Sequence, residues 1–337
     1  MTRICLIPRV HGVGGMVSFQ AKLTAGLAAR GLQVCTDLEQ WPYEAVLVTG
    51  GTRDLPGLAR ARRRGVRIVQ RLDGINWLQR RQRTGLRHYL RAEGNNLLLT
   101  YLRARLATHI VYQSAFVQQW WEDWFGAVHK PSAVIHNGVD LGVYTPEGPH
   151  ERPAERLRLL VVEGSLGGGY ESGLTTAVRL AELLAERGLP LELMVVGGVP
   201  ADLQAAAQTH SRVPLLWAGT VPRERIPFLD RSAHLLYSAD LNAACPNSAI
   251  EALACGLPVT GFATGALPEL VSGGSGRLAP YGSDPWKLGP PDVPALAQAA
   301  AEVLSNPEPF RAAARAHAEA AFGLDRMVGR YLDVLLG

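Results

Sequence analysis

The sequence has few of the features that mark secreted, membrane-spanning or metal-dependent proteins. Its 337 residues include four cysteines, none of them in a Cys-x-x-Cys pair, which argues against a disulfide scaffold and a zinc ribbon. No run of 18 apolar residues occurs, and residues 1–10 lack the regions of a signal peptide. We therefore expect a cytosolic protein, at most peripheral on the inner face of a membrane. Its thiols are predicted to be buried at Cys5, Cys35, Cys245 and Cys255.

The sequence also has no Asp-x-Asp, and no group of His, Cys and Asp residues has the spacing of metal ligands. We accordingly predict no bound metal and no cofactor. Aromatic side chains are not interleaved with the arginines in the way that stacks bases, so nucleic acid is not an expected partner.

What the sequence does hold is an uneven distribution of charge, which its net charge of +4 conceals. Residues 1–150 contain 19 Lys and Arg against 10 Asp and Glu, and Arg53 to Arg105 contains 14 arginines against three acids. The region Arg60–Arg91 is therefore a candidate surface for an anionic acceptor or for lipid headgroups at a membrane. A solvated face in an arginine-rich chain explains the same pattern, since the chain has only three lysines.

Short apolar runs alternate with helix-like segments along the whole chain, which is typical of parallel strands joined by crossover helices. A first set of predicted strands covers 4–7, 33–35, 45–48, 67–70 and 109–112. A second set covers 157–162, 191–196, 215–217, 234–237 and 258–262. We predict an α/β protein of two Rossmann-like, doubly wound domains that face one another across a cleft.

A segment rich in Pro, Gly and charge, residues 145–156, is predicted to link the two domains. The N-terminal domain is then residues 1–150 and the C-terminal domain residues 151–319. The amphipathic last helix, about residues 320–337, is expected to return to the first domain.

Two loops carry potential ligand chemistry. After the first strand, Gly12-Val-Gly14-Gly15 lets backbone N–H groups approach a phosphate or carboxylate. A dinucleotide fingerprint needs a further glycine where Val17 stands, so Asp37 is a weak candidate for a ribose contact. In the second loop, Asn247 and Ser248 are predicted to cap a helix with Glu251 just inside its first turn, a pattern suited to a nucleotide ribose and diphosphate. Ordinary helix capping is the alternative.

Several motifs, in order, resemble glycosyltransferase family 4, whose members are retaining enzymes of GT-B fold. They are Glu251-Ala-Leu-Ala-Cys-Gly-Leu-Pro-Val259, Gly265-Ala-Leu-Pro-Glu269 and His136-Asn-Gly-Val-Asp140. Counterparts of Gly14-Gly15, of Tyr112–Phe116 and of the closing helix extend the likeness over nearly the whole chain. The resemblance implies a nucleotide-sugar donor bound by the second domain and a carbohydrate or anionic lipid-linked acceptor held by the first.

The resemblance also implies roles for individual residues. Glu251 would bind the donor ribose, Gly14 and Gly15 would approach the donor phosphates, and Val221 would lie beside the base. The full set of predicted donor-binding residues is Gly14, Gly15, Ser165, Ser172, Gly198, Val221, Asn247, Ser248 and Glu251.

The chain departs from the family pattern at charged positions. The family usually has a Glu where Ala243 stands, for which Asp240 or Asn242 are candidate replacements. It usually holds the donor diphosphate with an Arg and a Lys where this chain has Ser165 and Ser172. Asp73 takes the place of a His near the reacting sugar and is our candidate catalytic residue. A turn-forming Asp-Gly, or an ion pair with Arg71, is the alternative role for Asp73.

The predicted function is metal-independent, retaining transfer of a sugar from a nucleotide-sugar to an acceptor hydroxyl. A sugar-nucleotide epimerase of the same fold, a catalytically reduced partner subunit and a nicotinamide-dependent oxidoreductase are the alternatives. A helix with Phe116, Trp120 and Trp124 on one face is either core or a membrane-inserting surface, and core packing is favoured.

Overall fold

The computed structural model describes residues 2–12, 14–83 and 85–337. The chain divides into two compact units: unit 1 comprises Met1–Gly138 with Leu324–Gly337, and unit 2 comprises Val139–Gly323. The division thus falls after Gly138, ahead of the expected boundary at residue 150. It does so because Val139 and Tyr144 are enclosed in the apolar core of unit 2.

Unit 1 is built on a six-stranded parallel sheet of spatial order β2-β1-β3-β4-β5-β6. Its strands are β1 (Arg3–Ile7), β2 (Gln33–Cys35), β3 (Ala45–Thr49), β4 (Arg67–Leu72), β5 (His109–Tyr112) and β6 (Ser132–Val134). The crossover helices are α1 (Gly15–Ala28), α2 (Leu55–Arg63), α3 (Leu86–Tyr101) and α4 (Ala115–Phe125).

Unit 2 holds a second six-stranded parallel sheet, of order β12-β11-β10-β7-β8-β9. Its strands are β7 (Leu157–Ser165), β8 (Leu191–Gly198), β9 (Leu215–Gly219), β10 (Leu235–Tyr237), β11 (Val259–Phe262) and β12 (Gly276–Ala279). Its helices are α5 (Glu171–Glu186), α6 (Ala201–His210), α7 (Ile226–Ser232), α8 (Asn247–Ala254), α9 (Leu267–Leu270), α10 (Val293–Ser305) and α11 (Pro307–Ala321).

Successive residues of a strand point to opposite faces of its sheet, and this alternation divides the core of unit 1. Ile4 and Leu6 pack with α1 on one face, while Cys5 and Ile7 pack with α2 on the other. The last helix, α12 (Leu324–Leu336), covers the α1 face and belongs to unit 1. Both faces of the parallel sheet are therefore shielded from water, as such sheets require.

Buried side chains settle two interpretations of the sequence. All four cysteines are free and buried, as predicted. Trp120 and Trp121 of α4 are also buried, so the aromatic face of this helix is part of the core of unit 1 and not a membrane-inserting surface.

Replacement by alanine is expected to have opposite effects on stability at two helical glycines of unit 1. A Cβ on Gly94, inside α3, meets no atom within 4 Å. Since glycine is a poorer helix former than alanine, Gly94→Ala is expected to raise the free energy of unfolding by about 0.5 to 1 kcal/mol. Chemical denaturation measures this change.

Gly26→Ala is the matched control, since Gly26 lies in α1 and its Cβ would come within 2.5 Å of a methyl group of Val328 on α12. That contact forces the two helices apart, so Gly26→Ala is expected to destabilise the protein. Equal effects of the two substitutions would contradict the packing of α12 on α1.

Candidate functional site

The strand order of each sheet fixes where a ligand can bind. Open parallel sheets bind ligands beyond the carboxyl ends of the two neighbouring strands whose connections leave in opposite directions. In unit 1 these strands are β1 and β3, and in unit 2 they are β7 and β10. The loops after β7 and β10 are therefore where a donor site in unit 2 is expected.

Two acidic residues meet at this position in unit 2. Glu163 lies near the end of β7, and Asp240 follows β10 by three residues. Glu163 as a whole is half-buried, but its Oε1 is enclosed and has no hydrogen-bond partner among the described residues. Burial and the nearby Asp240 raise the pKa of Glu163 to about 8. Burial likewise raises the pKa of Asp240 to about 6. Because the two carboxyls interact, they are expected to titrate as a pair.

The loop after β7 uses its polar groups internally. The hydroxyl of Ser165, the last residue of β7, accepts a hydrogen bond from the Gly167 N–H at 3.3 Å. The carboxylate of Glu171 accepts the Gly169 N–H at 3.0 Å from each oxygen. Ser172, the second residue of α5, is exposed. The acid Glu171 therefore occupies a backbone N–H of the glycine-rich loop that follows β7.

Gly198 lies beside this loop. It is the last residue of β8, is in register with Ser165 and accepts the Leu166 N–H at 2.8 Å. Its neighbour Gly197 has φ +129°, and a Cβ there would overlap the carbonyl oxygen of Glu163. Glycine is thus required at 197 for β7 and β8 to approach one another. Val221, predicted beside the base, is half-buried two residues after β9.

Helix α8 begins differently from the prediction. Its N-cap is Pro246, and no side chain caps it, so the prediction that Asn247 and Ser248 act as capping side chains is wrong. These residues are instead the first two of the helix. Glu251 is the fifth residue and lies in the second turn, not just inside the first. Proline serves here because its ring fixes the backbone in an extended conformation before the helix.

Glu251 is 8% exposed and has acidic and aromatic neighbours. Its charge acts on the hydroxyl of Tyr144 and on the carboxyl of Asp230, both of which are 1% exposed. Burial, followed by the charge of Glu251, raises the pKa of Asp230 well above its usual value. Neither oxygen of Asp230 has a hydrogen-bond partner among the described residues. Asp230 is therefore expected to be protonated.

The loop between β10 and α8 is held by a glycine turn. Gly265 has φ +60°, and a Cβ there would come within 2.6 Å of the Ala243 nitrogen. Ala266 donates its N–H to the Ala243 carbonyl at 2.8 Å, and Ala243 is buried. Asn242 has φ 57° and is buried, and its Nδ2 lacks a partner among the described residues. Of the two candidate replacements for the family's Glu, only Asp240 is partly exposed.

In unit 1, Asp73 follows β4 and forms an ion pair with Arg71 at 3.1 Å. Arg71 is 1% exposed, donates to the Asn137 side chain at 2.8 Å and stacks over the ring of Phe19. The Asp73 carbonyl accepts the Trp121 indole N–H at 2.8 Å. The ion pair with Arg71, which is the alternative role for Asp73, is thus present. Since one-third of the Asp73 side chain stays exposed, its carboxylate is held in place yet accessible.

The glycine loop of unit 1 lies at the start of α1. Gly14 precedes the helix with φ +132°, a conformation that favours glycine, and no side chain caps the helix. Gly15 is its first residue, and Val13 lies outside the described residues. The exposed start of α1 therefore has backbone donors close to the carboxyl end of β1.

The structure thus collects Glu163, Ser165, Gly198 and Asp240 at one edge of the second sheet. Sequence analysis did not identify Glu163, Glu171 or Asp230 as site residues. Only Glu163 carries a signal, as a lone acid that ends the apolar run of β7. Asp73, Gly14 and Gly15 belong to unit 1.

Among the described residues, no helix is both long and apolar enough to span a membrane.

Solved structures identify the fold as the GT-B type. Sucrose-phosphate synthase from Thermosynechococcus elongatus is similar over 99% of this chain and 98% of its own, with a TM-score of 0.76 and 16% identity. Anabaena HepE in complex with UDP and glucose covers 99% of each chain, with a TM-score of 0.72 and 15% identity. The glycosyltransferase WaaG, involved in lipopolysaccharide biosynthesis, covers 100% of each, with a TM-score of 0.69 and 14% identity.

Unit 2 is also similar in sequence to known glycosyltransferases. Residues 158–306 match the family model described as glycosyl transferases group 1. The 2-deoxystreptamine glucosyltransferase of Streptomyces kanamyceticus is 29% identical over 208 residues, which are 58% of this chain and 50% of that protein. The alignment with this curated relative therefore spans about half of its length.

The carboxyl pair predicts a pH-dependent stability. The folded-state pKa of Glu163 is raised above its unfolded value, so its ionisation penalises the folded state increasingly as pH rises from about 4.5 towards 8. Glu163→Gln removes this charge and keeps the shape. It is expected to match the parent protein at pH 4.5 and to be more stable by about 1 to 3 kcal/mol at pH 8.5.

Thermal and chemical unfolding at both pH values measure the difference. Glu308→Gln on the exposed surface of α11 is the control and is expected to show no such trend. A gain for Glu163→Gln that is equal at both pH values would contradict the burial of this carboxyl.

Proposed function

We propose that this protein is a retaining glycosyltransferase of the hexosyltransferase type, which moves a sugar from a nucleotide-sugar to an acceptor hydroxyl without a metal ion. Unit 2 holds the donor, and unit 1 holds a carbohydrate or lipid-linked acceptor near Asp73. The observation that carries the proposal is the buried Glu251 on α8, in a segment that matches the glycosyl transferases group 1 model. The two oxygens of a buried carboxyl group are suited to accept two hydrogen bonds from a ribose diol.

The start of α8 supports binding of the donor diphosphate. Asn247 and Ser248 occupy its first two positions without side-chain capping bonds, and the first N–H groups of a helix favour an anion. Ser165 and Ser172 supply hydroxyls, and Gly198, Val221, Gly14 and Gly15 are the remaining members of the proposed donor-binding set. A metal-free reaction is supported by the absence of Asp-x-Asp, and it predicts that a chelator leaves turnover unchanged.

The reaction itself follows from these assignments. The bond between the sugar C1 and the diphosphate breaks, and the nucleoside diphosphate leaves with the bonding electrons. The acceptor oxygen bonds to C1 on the same face, which retains the anomeric configuration. The acceptor hydroxyl loses its proton, and Asp73 is proposed to accept it as a general base. The buried Arg71 fixes this carboxylate through their 3.1 Å ion pair.

A catalytically reduced subunit that binds a nucleotide-sugar is the second candidate. It is favoured by the acids Glu163, Asp240 and Glu171 around the proposed diphosphate site, where Glu171 already bonds the Gly169 N–H. The two candidates share donor binding and differ in turnover. An epimerase of the same fold would convert the donor alone, which NMR of a donor-only incubation detects.

Donor binding is tested at Glu251. The Glu251→Gln variant keeps the shape of this buried side chain but loses the charge, so it is expected to bind the nucleotide about 10- to 100-fold more weakly. A thermal-shift screen of UDP-, GDP-, ADP- and TDP-sugars identifies the donor, with UDP the first choice because the HepE neighbour binds it. Isothermal titration calorimetry then compares Glu251→Gln with Glu308→Gln. Equal affinities for both variants would refute the donor site.

Catalysis is tested at Asp73. The Asp73→Asn variant is expected to lose about 100- to 10,000-fold in turnover because general base catalysis contributes roughly that factor. Its affinity for the nucleotide is expected to stay unchanged, since Asp73 is proposed to act on the acceptor hydroxyl and not on the donor. Retained turnover would remove Asp73 from the mechanism, and no turnover by the parent protein with any donor and acceptor would favour the binding subunit.

A further inference from the structure

Helix α3 of unit 1 exposes an unusual amount of apolar surface. Ten large hydrophobic side chains are exposed among the described residues, and five of them lie on this one helix. Their exposed fractions are 74% for Leu86, 40% for Tyr89, 60% for Leu90, 66% for Leu97 and 48% for Tyr101. Clustered exposure of this kind marks an interaction surface, whereas single exposed side chains do not.

The exposed side chains form a stripe along the helix. At 100° per residue, Leu86, Leu90, Leu97 and Tyr101 fall within an arc of about 60°. The opposite side carries the buried residues Ala92, Asn96 and Leu99, through which α3 packs on unit 1. Its outer face, which is polar in an ordinary surface helix, is therefore apolar here.

Positive charge borders the stripe. Arg87 and Arg91 lie on α3, Arg81 and Arg83 precede it, and all four are exposed. Within the described part of the chain, none of these four arginines forms an ion pair. The sole acid of α3, Glu93, is neutralised by Arg80 at 2.6 Å and also accepts a hydrogen bond from Gln79 at 2.9 Å.

We propose that α3 docks unit 1 on an anionic phospholipid surface. The leucine stripe enters the boundary between headgroups and acyl chains, and the four arginines bind lipid phosphates. At 16 residues the helix is about 24 Å long and lies flat on the surface.

Charge favours a lipid over a second copy of the chain. A symmetric dimer formed through this stripe would bring the four exposed arginines of each chain to one interface, where the sole acid of α3, Glu93, is already paired with Arg80. An anionic lipid surface instead neutralises them. The inference concerns unit 1 alone and is independent of the proposed glycosyl transfer, although such docking would bring a lipid-linked acceptor within reach.

Co-sedimentation of the full chain with vesicles tests the proposal, without any nucleotide-sugar present. The protein is expected to bind phosphatidylglycerol vesicles at low salt and to bind phosphatidylcholine vesicles far more weakly. The double variant Arg87→Gln with Arg91→Gln is expected to lose more than tenfold in affinity, from roughly fivefold per arginine. Leu86→Ser with Leu90→Ser is expected to lose at least as much.

Matched controls separate this surface from overall charge and hydrophobicity. Arg326→Gln with Arg330→Gln removes the same charge from exposed positions of α12, which packs on the other face of the sheet. Val143→Ser removes an exposed apolar side chain from unit 2. Both controls are expected to bind like the parent protein.

Three results would overturn the proposal. They are equal binding of the parent to both kinds of vesicle, an equal loss of binding in the controls, and a dimer in light scattering that Leu86→Ser with Leu90→Ser dissociates. The last result would assign the stripe to a contact between chains. The thermal unfolding midpoint of each variant is expected to match that of the parent, because the replaced side chains are exposed.

Discussion

The position of β7 between β8 and β10 is the constraint on which unit 2 depends. Since all its neighbours are parallel, their carboxyl ends open at one edge, and the connections leave in opposite directions on either side of β7. Gly197 permits the close approach of β8 to the backbone of Glu163, and Gly265 holds the loop that follows β10. The geometry of the candidate donor-binding edge is thus set by backbone pairing and by these two glycines.

The chemistry of that edge is set by competition between desolvation and charge. Glu163 and Asp230 have carboxyl groups enclosed by the protein, and burial favours their neutral forms. Two negative charges buried side by side would repel strongly, and the neutral form of Asp230 avoids this repulsion. Because the pKa values of Glu163, Asp240 and Asp230 are raised, these acids carry less negative charge at neutral pH than fully ionised carboxylates would.

The sequence predicted most of this fold because buried parallel strands are continuous apolar runs. The ranges 33–35 and 109–112 match β2 and β5 fully. The strands β6 and β12 were not predicted, because both are short and mix small, polar and apolar residues without a continuous apolar run. It also missed α11, which is rich in alanine and buries few large side chains. The prediction for the cap of α8 was wrong because the N-cap position is occupied by Pro246 and not by Asn247. The backbone conformation at residue 246 sets the start of this helix, whereas the prediction relied on side-chain propensity.

The arginines of the first 150 residues fall into two groups: those that bond other groups of unit 1 and those that are exposed to solvent. Arg71 and Arg103 are buried, where they bond Asn137 and the Tyr112 hydroxyl. Arg67 donates to the Val334 carbonyl and so ties α12 to the sheet. These cations are structural and cannot move to an external anion without breaking buried hydrogen bonds, a loss of about 1.5 to 3 kcal/mol for each charged bond. The charge that remains for a ligand is therefore the exposed subset, and its concentration around α3 explains why net charge alone could not locate it.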